Sequence, residues 1–229
     1  MQSLGIDPEL VTFKEKPWIG GGNGGYAMEV IVAGLELATL VFMDLKEDPE
    51  GDIEIEGIRF RPMDIRVVDT GYGLERFVWA SQVSPSVFDA IYSDIMDFIF
   101  MRIGLEKPKE YDEIVKSFVS IKKKDDESLM DELGEKLNEK GIDFDYRPFI
   151  EKLRKVHMVV DHSRTVLFML NDGIVPSNTK AGYLARLMIR RMFKVLEDLG
   201  IENSMKEIME MQRKKFSRML DESMFPVIL

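Results

Sequence analysis

The chain has 229 residues, 45% of them hydrophobic, with 31 basic against 41 acidic side chains and a net charge of −10, a composition suited to a packed core and too apolar for disorder. Cysteine is absent and His157 and His162 are the two histidines, which excludes disulfide frameworks, cysteine nucleophiles and cysteine-ligated zinc and argues against a His-rich metal centre. No run approaches the length of an uncharged membrane span, and the N-terminal residues carry charges where a signal peptide needs its apolar segment, so a soluble, cytoplasmic protein with no membrane partner is expected.

Residues 28–32 and 35–45 are rich in Val, Ile, Leu and Thr, with Ala33-Gly34 as a turn between them, and read as strands. The acidic stretch 46–52 carries the breakers Asp48-Pro49 and Gly51 and reads as a turn. Alternation through Ile53, Ile55, Ile58 and Phe60 predicts a strand over 53–60, interrupted at Gly57. Another strand, 64–69, runs into Thr70-Gly71-Tyr72-Gly73, and 74–82 has helical spacing. From Pro85 the period is helical. A helix over 87–103 has Ser86 as its cap and closes at Gly104 and Pro108. The charged stretch 107–127 holds a short helix around 114–121 and a KKKDDE run that reads as a solvated loop or helix end. Helices follow at 128–139, 148–171, 180–199 and 204–220. The methionines at 158, 169, 188 and 192 read as core filling. The fold class is therefore α+β: an antiparallel sheet region over 1–104 and an all-helical region over 105–229, cut near 104–110.

Charge is unevenly spread. Residues 1–104 hold 8 basic and 18 acidic side chains, whereas 105–229 hold 23 of each. Between Lys180 and Lys194 lie Lys180, Arg186, Arg190, Arg191 and Lys194 with no acid among them. Arg186 and Arg190 share one helical face and Arg191 borders it, a spacing that can track a phosphate backbone. Such a stripe can attract a polyanion even on an acidic chain. Asn178, just before this helix, reads from its position as an N-cap.

Two glycine-rich segments invite a ligand. Gly20, Gly22 and Gly25 match G-x-G-x-x-G, but no strand-to-helix transition surrounds them, so a dinucleotide site is rejected. A flexible linker and a ligand loop beside Trp18 both remain open. The run Val67-Val68-Asp69-Thr70-Gly71-Tyr72-Gly73-Leu74-Glu75-Arg76 places a carboxylate at a strand end and an arginine in the first turn of a helix. Arginine is electrostatically disfavoured there, so it either faces a phosphate or pairs with Glu75 or Asp69.

Gly73-Leu74-Glu75-Arg76 resembles motif 3 of the class II aminoacyl-tRNA synthetases. The longer pattern resembles the alanyl-tRNA synthetase family in its archaeal form. It comprises Trp18 with the glycine cluster, Gly34-Leu35-Glu36, Leu40-Val41-Phe42-Met43 and Val68-Asp69-Thr70-Gly71. It continues through Asp161-His162-Ser163-Arg164, Asp172-Gly173, Pro176-Ser177-Asn178, Gly182-Tyr183-Leu184 and Arg190-Arg191. The resemblance implies the last part of a class II catalytic core, without its motifs 1 and 2, followed by helices that recognise the tRNA(Ala) acceptor stem. It implies an alanine–tRNA ligase chemistry using ATP, Mg2+ and L-alanine, with any zinc confined to later domains. Arg76 and Asp69 would be the catalytic pair. Gly73, Glu75 and Arg76 would bind ATP, Arg76 at the γ-phosphate. Asp69 would hold the alanine ammonium, with Gly71, Trp18 and Thr39 around the substrate. Asn178 would read the G·U pair of the acceptor stem, with Lys180, Arg186, Arg190 and Arg191 on the phosphates, and His162 would serve helix packing. The isolated stretch is expected to be inactive in alanine activation. The rival reading is a non-catalytic RNA-binding module that keeps a synthetase-like shape.

Overall fold

A computed structural model describes residues 7–122, 125–221 and 223. The start of the N-terminal run, 1–6, and Lys123-Lys124 of the charged run lie outside the described residues. Two compact units make up the chain, Met1–Val83 and Ser84–Leu229.

The first unit is one antiparallel sheet. Its strands are β1 (Val11–Gly20), β2 (Asn23–Val32), β3 (Leu35–Glu47), β4 (Ile53–Ile55) and β5 (Ile58–Tyr72), in the spatial order β1-β2-β3-β5-β4, and the helix α1 (Leu74–Gln82) follows. The sequence pattern had no strand over 11–20, because Lys14, Glu15 and Lys16 in succession and Pro17 break any apolar alternation, and most of its residues stay exposed at a sheet edge. The glycine cluster is an ordered hairpin turn, not a flexible linker. Gly20 pairs with Asn23, and Gly21 and Gly22 turn the hairpin between them at φ +60° and +79°, the left-handed geometry a two-residue hairpin needs. Gly25 answers a different demand: a Cβ there would lie 2.0 Å from the Phe42 carbonyl oxygen.

Glu56 and Gly57, at φ 51° and 82°, turn the expected strand 53–60 back on itself, so that Ile55 pairs with Ile58. β5 is consequently much longer than predicted. Its pairing with β3 jumps from Met43↔Val67 to Leu45↔Pro62, leaving 63–66 as a wide bulge opposite Asp44.

The second unit contains α2 (Val87–Ile103), α3 (Tyr111–Val119), α4 (Asp126–Glu139), α5 (Tyr146–Asn171), α6 (Lys180–Asp198) and α7 (Met205–Lys215). Ile95, Met96, Ile99, Ile114, Leu133, Ile150, Leu153, Val156, Leu167, Leu196 and Ile208 meet in one solvent-free core. α2 contributes three of these residues, which is why the compact division falls ahead of the cut expected near 104. Ser86 caps α2 by accepting from the Asp89 amide at 3.2 Å and donates back to the Asp89 carboxylate at 2.6 Å. Gly104 ends that helix at φ 61°. Within the charged run, Asp125 caps α4 by accepting from the Ser128 amide. α7 stops at Lys215, short of the expected 220, and a single 3-10 turn follows. Met192 is buried as expected, but Met158 is 39% exposed. No helix among the described residues is long and apolar enough to cross a membrane.

Candidate functional site

Sheet register assembles the first candidate site. Lys16, Ala27, Val41 and Asp69 are successive cross-strand partners on β1, β2, β3 and β5. Lys14, Glu29, Thr39 and Gly71 form the adjacent row. Because side chains alternate along a strand, both rows share a face, and Trp18 joins them two residues beyond Lys16. A cavity of about 400 Å³ opens on this face, lined by Lys16, Trp18, Ala27, Glu29, Thr39, Val41, Asp69 and Gly71, with Glu56 reaching it from the β4–β5 turn. Four of the residues singled out from sequence, Trp18, Thr39, Asp69 and Gly71, therefore meet in one cavity. A Cβ on Gly71 would touch nothing within 4 Å, so any side chain there would project into free space beside Thr39 and Asp69. The Trp18 ring lies over Gly20, where a Cβ would come within 2.6 Å of it.

α1 begins just beyond Gly71. Gly73 is its N-cap residue and donates its amide to the Leu37 carbonyl at 3.1 Å, fastening the helix start to β3. Glu75 sits half-buried in the first turn. Arg76 folds back across Gly73, whose missing side chain makes room for the arginine methylenes. Its guanidinium finds a partner that the local sequence did not suggest. It donates to the Glu36 carbonyl at 2.8 Å and lies 3.5 Å from the Glu36 carboxylate. The same carboxylate accepts from the Thr39 hydroxyl at 2.9 Å. Glu36 thus links Arg76 to the cavity wall, offsetting the unfavourable placement of a cation at a helix N-terminus. Sequence reasoning quoted Glu36 but gave it no role, since only the fold brings it to Arg76.

These observations are joined by a whole-chain match: residues 1–224 match the family described as tRNA synthetases class II (A). The chain belongs to that family. Among its relatives, the alanine–tRNA ligase of Archaeoglobus fulgidus is 47% identical across 93% of this chain and 24% of its own length. That of Picrophilus torridus is 43% identical across 96% of this chain and 25% of its own. That of Methanosarcina acetivorans is 44% identical across 100% of this chain and 26% of its own. The synthetase chain here spans about a quarter of the length of these relatives.

In the helical unit of this synthetase, α6 carries the basic stripe. Arg186, Arg190 and Arg191 are all exposed, with Tyr183, Leu184 and Phe193 exposed beside them. Arg190 and Arg191 border a groove with Met158 and Leu187, which accounts for the exposure of Met158. Lys194 is drawn to Asp198 at 3.5 Å. Lys180 opens the helix at φ 50°, a strained conformation for a residue with a Cβ. Thr179, not Asn178, holds the N-cap position. The Asn178 side-chain oxygen instead accepts from Arg186, which orients the amide from the helix face. Gly182 lets the preceding loop pack down, since a Cβ would meet Ser177 Oγ and the Val175 carbonyl.

His162 lies on α5, against Asp161 at 3.3 Å. His157 is buried and stacked on Phe88 at 4.0 Å, and burial lowers its pKa to about 4. Among the described residues no three Asp, Glu or His side chains cluster as a metal site requires. These residues do not by themselves make a Mg2+ site.

Proposed function

We propose that this chain is part of an alanine–tRNA ligase, supplying the amino-acid pocket and one phosphate ligand of the activation site together with an acceptor-stem-binding helix. The observation that carries this reading is the convergence of Trp18, Thr39, Asp69 and Gly71 on one cavity, next to the helix start that bears Arg76. In the reaction, the alanine carboxylate attacks the α-phosphorus of ATP and expels pyrophosphate. A ribose hydroxyl at the tRNA 3′ end then attacks the carbonyl of the adenylate and releases AMP.

Asp69 is an exposed carboxylate within β5, on the cavity face, suited to hold the substrate ammonium. Gly71 leaves open space beside it for the substrate methyl, with Val41 and Trp18 also lining the cavity. Arg76 neutralises developing charge on the leaving phosphates. It must exchange Glu36 for the triphosphate to do so. Gly73 and Glu75 lie at the same helix start. Asn178 reads the wobble pair from the minor groove, the accessible face of an RNA helix, while Lys180, Arg186, Arg190 and Arg191 engage phosphates with strong salt dependence. Since the chain spans about a quarter of the ligases it resembles, complete activation is assigned to a longer polypeptide, and the isolated chain is expected not to perform it.

The test uses the intact enzyme. Arg76→Ala and Asp69→Asn each reduce alanine-dependent ATP–pyrophosphate exchange by at least about a hundredfold, the loss typical of a removed charge-stabilising group; near-normal exchange in either variant removes that assignment. Asn178→Ala leaves exchange intact and lowers charging of a G·U-bearing tRNA by about tenfold or more. Equal losses in both steps would make Asn178 a structural residue. If both pocket variants retain exchange while RNA binding by the chain stays salt-sensitive, the non-catalytic RNA-binding reading takes over.

A further inference from the structure

The alanine pocket carries one charge that neither the motif pattern nor the family match assigns. Lys16 is its single lining cation; the other charged lining residues are Glu29, Glu56 and Asp69. Glu29 is already engaged by Lys14 at 3.3 Å. The row Lys16–Ala27–Val41–Asp69 runs straight across the sheet. It sets a cation and an anion at opposite ends of a two-residue apolar floor. Three strand spacings separate the end backbones by about 14 Å. A long lysine stem and a short aspartate both reach inward from those ends.

We propose that Lys16 reads the carboxylate of the amino-acid substrate, making the pocket a two-pole receptor for a small zwitterion. This rests on the reading of the cavity as the amino-acid pocket and adds the second pole to it. With three carboxylates around it, the cavity attracts any small primary amine. Lys16 supplies the discrimination against amines that lack a carboxylate, and the Ala27–Val41 floor accepts the methyl. A zwitterion places one charge at each end of that floor, whereas an amino alcohol leaves Lys16 facing a neutral group. Once the carboxylate has become the acyl phosphate of the adenylate, its charge has moved to the phosphate, and the grip of Lys16 relaxes as the chemistry proceeds.

The experiment titrates the full 229-residue chain with L-alanine and with L-alaninol, following the Trp18 indole N–H by NMR. Expected for the unmodified chain is L-alanine binding about tenfold tighter than L-alaninol, one charge-assisted contact's worth. Lys16→Gln abolishes that preference by weakening L-alanine alone, and Lys16→Arg retains it. Asp69→Asn weakens both ligands together. Lys16 lies exposed on an edge strand, so the substitution leaves the fold intact, and an unchanged Trp18 signal in the free variant checks this. Equal binding of the two ligands, unchanged in Lys16→Gln, overturns the role of Lys16 while the Asp69 response still supports the pocket. No binding of either ligand to the unmodified chain overturns the pocket reading and this inference with it.

Discussion

The two units spend their apolar residues differently. In the helical unit, α5 is flanked by other helices and its Ile150, Leu153 and Val156 are fully buried within a continuous core. Among the described residues of the sheet unit, Phe60 alone reaches that state, while Tyr26, Val68 and Tyr72 remain 61–66% exposed. Long strands present two faces, and here one face hosts the cavity while the other leaves Tyr26, Phe42 and Val68 in the open as cross-strand neighbours. The helical unit closes on itself; the sheet unit keeps its side chains available. The cavity lies on the sheet, and the basic stripe occupies one outer helix face of a body already stabilised within.

Substitutions sharpen this contrast. Leu153→Ala removes a fully buried side chain from the helical core and lowers its unfolding free energy by about 2–5 kcal/mol, measured by urea unfolding with a near-ultraviolet probe. A loss below 1 kcal/mol would show a core able to collapse around the gap. His157 gives the same unit a pH dependence. Its folded pKa of about 4, set by burial, lies below the ordinary histidine value near 6.5. The unfolded chain therefore binds the extra proton between these values. The stabilising contribution is complete above about pH 6.5 and lost as the pH falls toward 4, amounting to no more than about 3 kcal/mol. Chemical denaturation across this range should show the slope, and His157→Phe should remove it. The smallest effect belongs to the sheet: Val68→Ser, at 65% exposure, shifts stability by no more than about 0.5 kcal/mol. A larger loss in the melting of the intact chain would mean that the open face is less open than its exposure indicates.

Helices were the most legible part of the sequence, because an apolar stripe repeats along each and the caps at Ser86 and Gly104 mark their ends. β1 escaped notice since the consecutive Lys14, Glu15 and Lys16 and then Pro17 interrupt its alternation, as befits an exposed edge. The β4–β5 turn was hidden by its own regularity: Ile53, Ile55, Ile58 and Phe60 continue an alternation straight through a reversal of direction. Asp69, Gly71 and Arg76 could be singled out from the glycine-rich run ahead of a helix, although β5 carries on through both Asp69 and Gly71 to Tyr72. Lys16 and Glu36 were not, because each acquires its meaning from cross-strand register or from a helix packed against a distant strand. Local pattern reports what a segment is; register reports what it meets.

The wide bulge at 63–66 makes β5 a jointed rod rather than a single one. In a strictly paired strand, losing one residue transmits a half-turn to everything beyond it and moves each side chain to the opposite face. Here four residues face one, and that slack acts as an expansion joint. Deleting a residue within 63–66 shortens the joint and leaves Asp69 and Gly71 aimed at the cavity. The same deletion between Val67 and Asp69 turns the aspartate away from it. Variation in chain length is thereby tolerated at one point along the strand, only a few residues from a position where none can be.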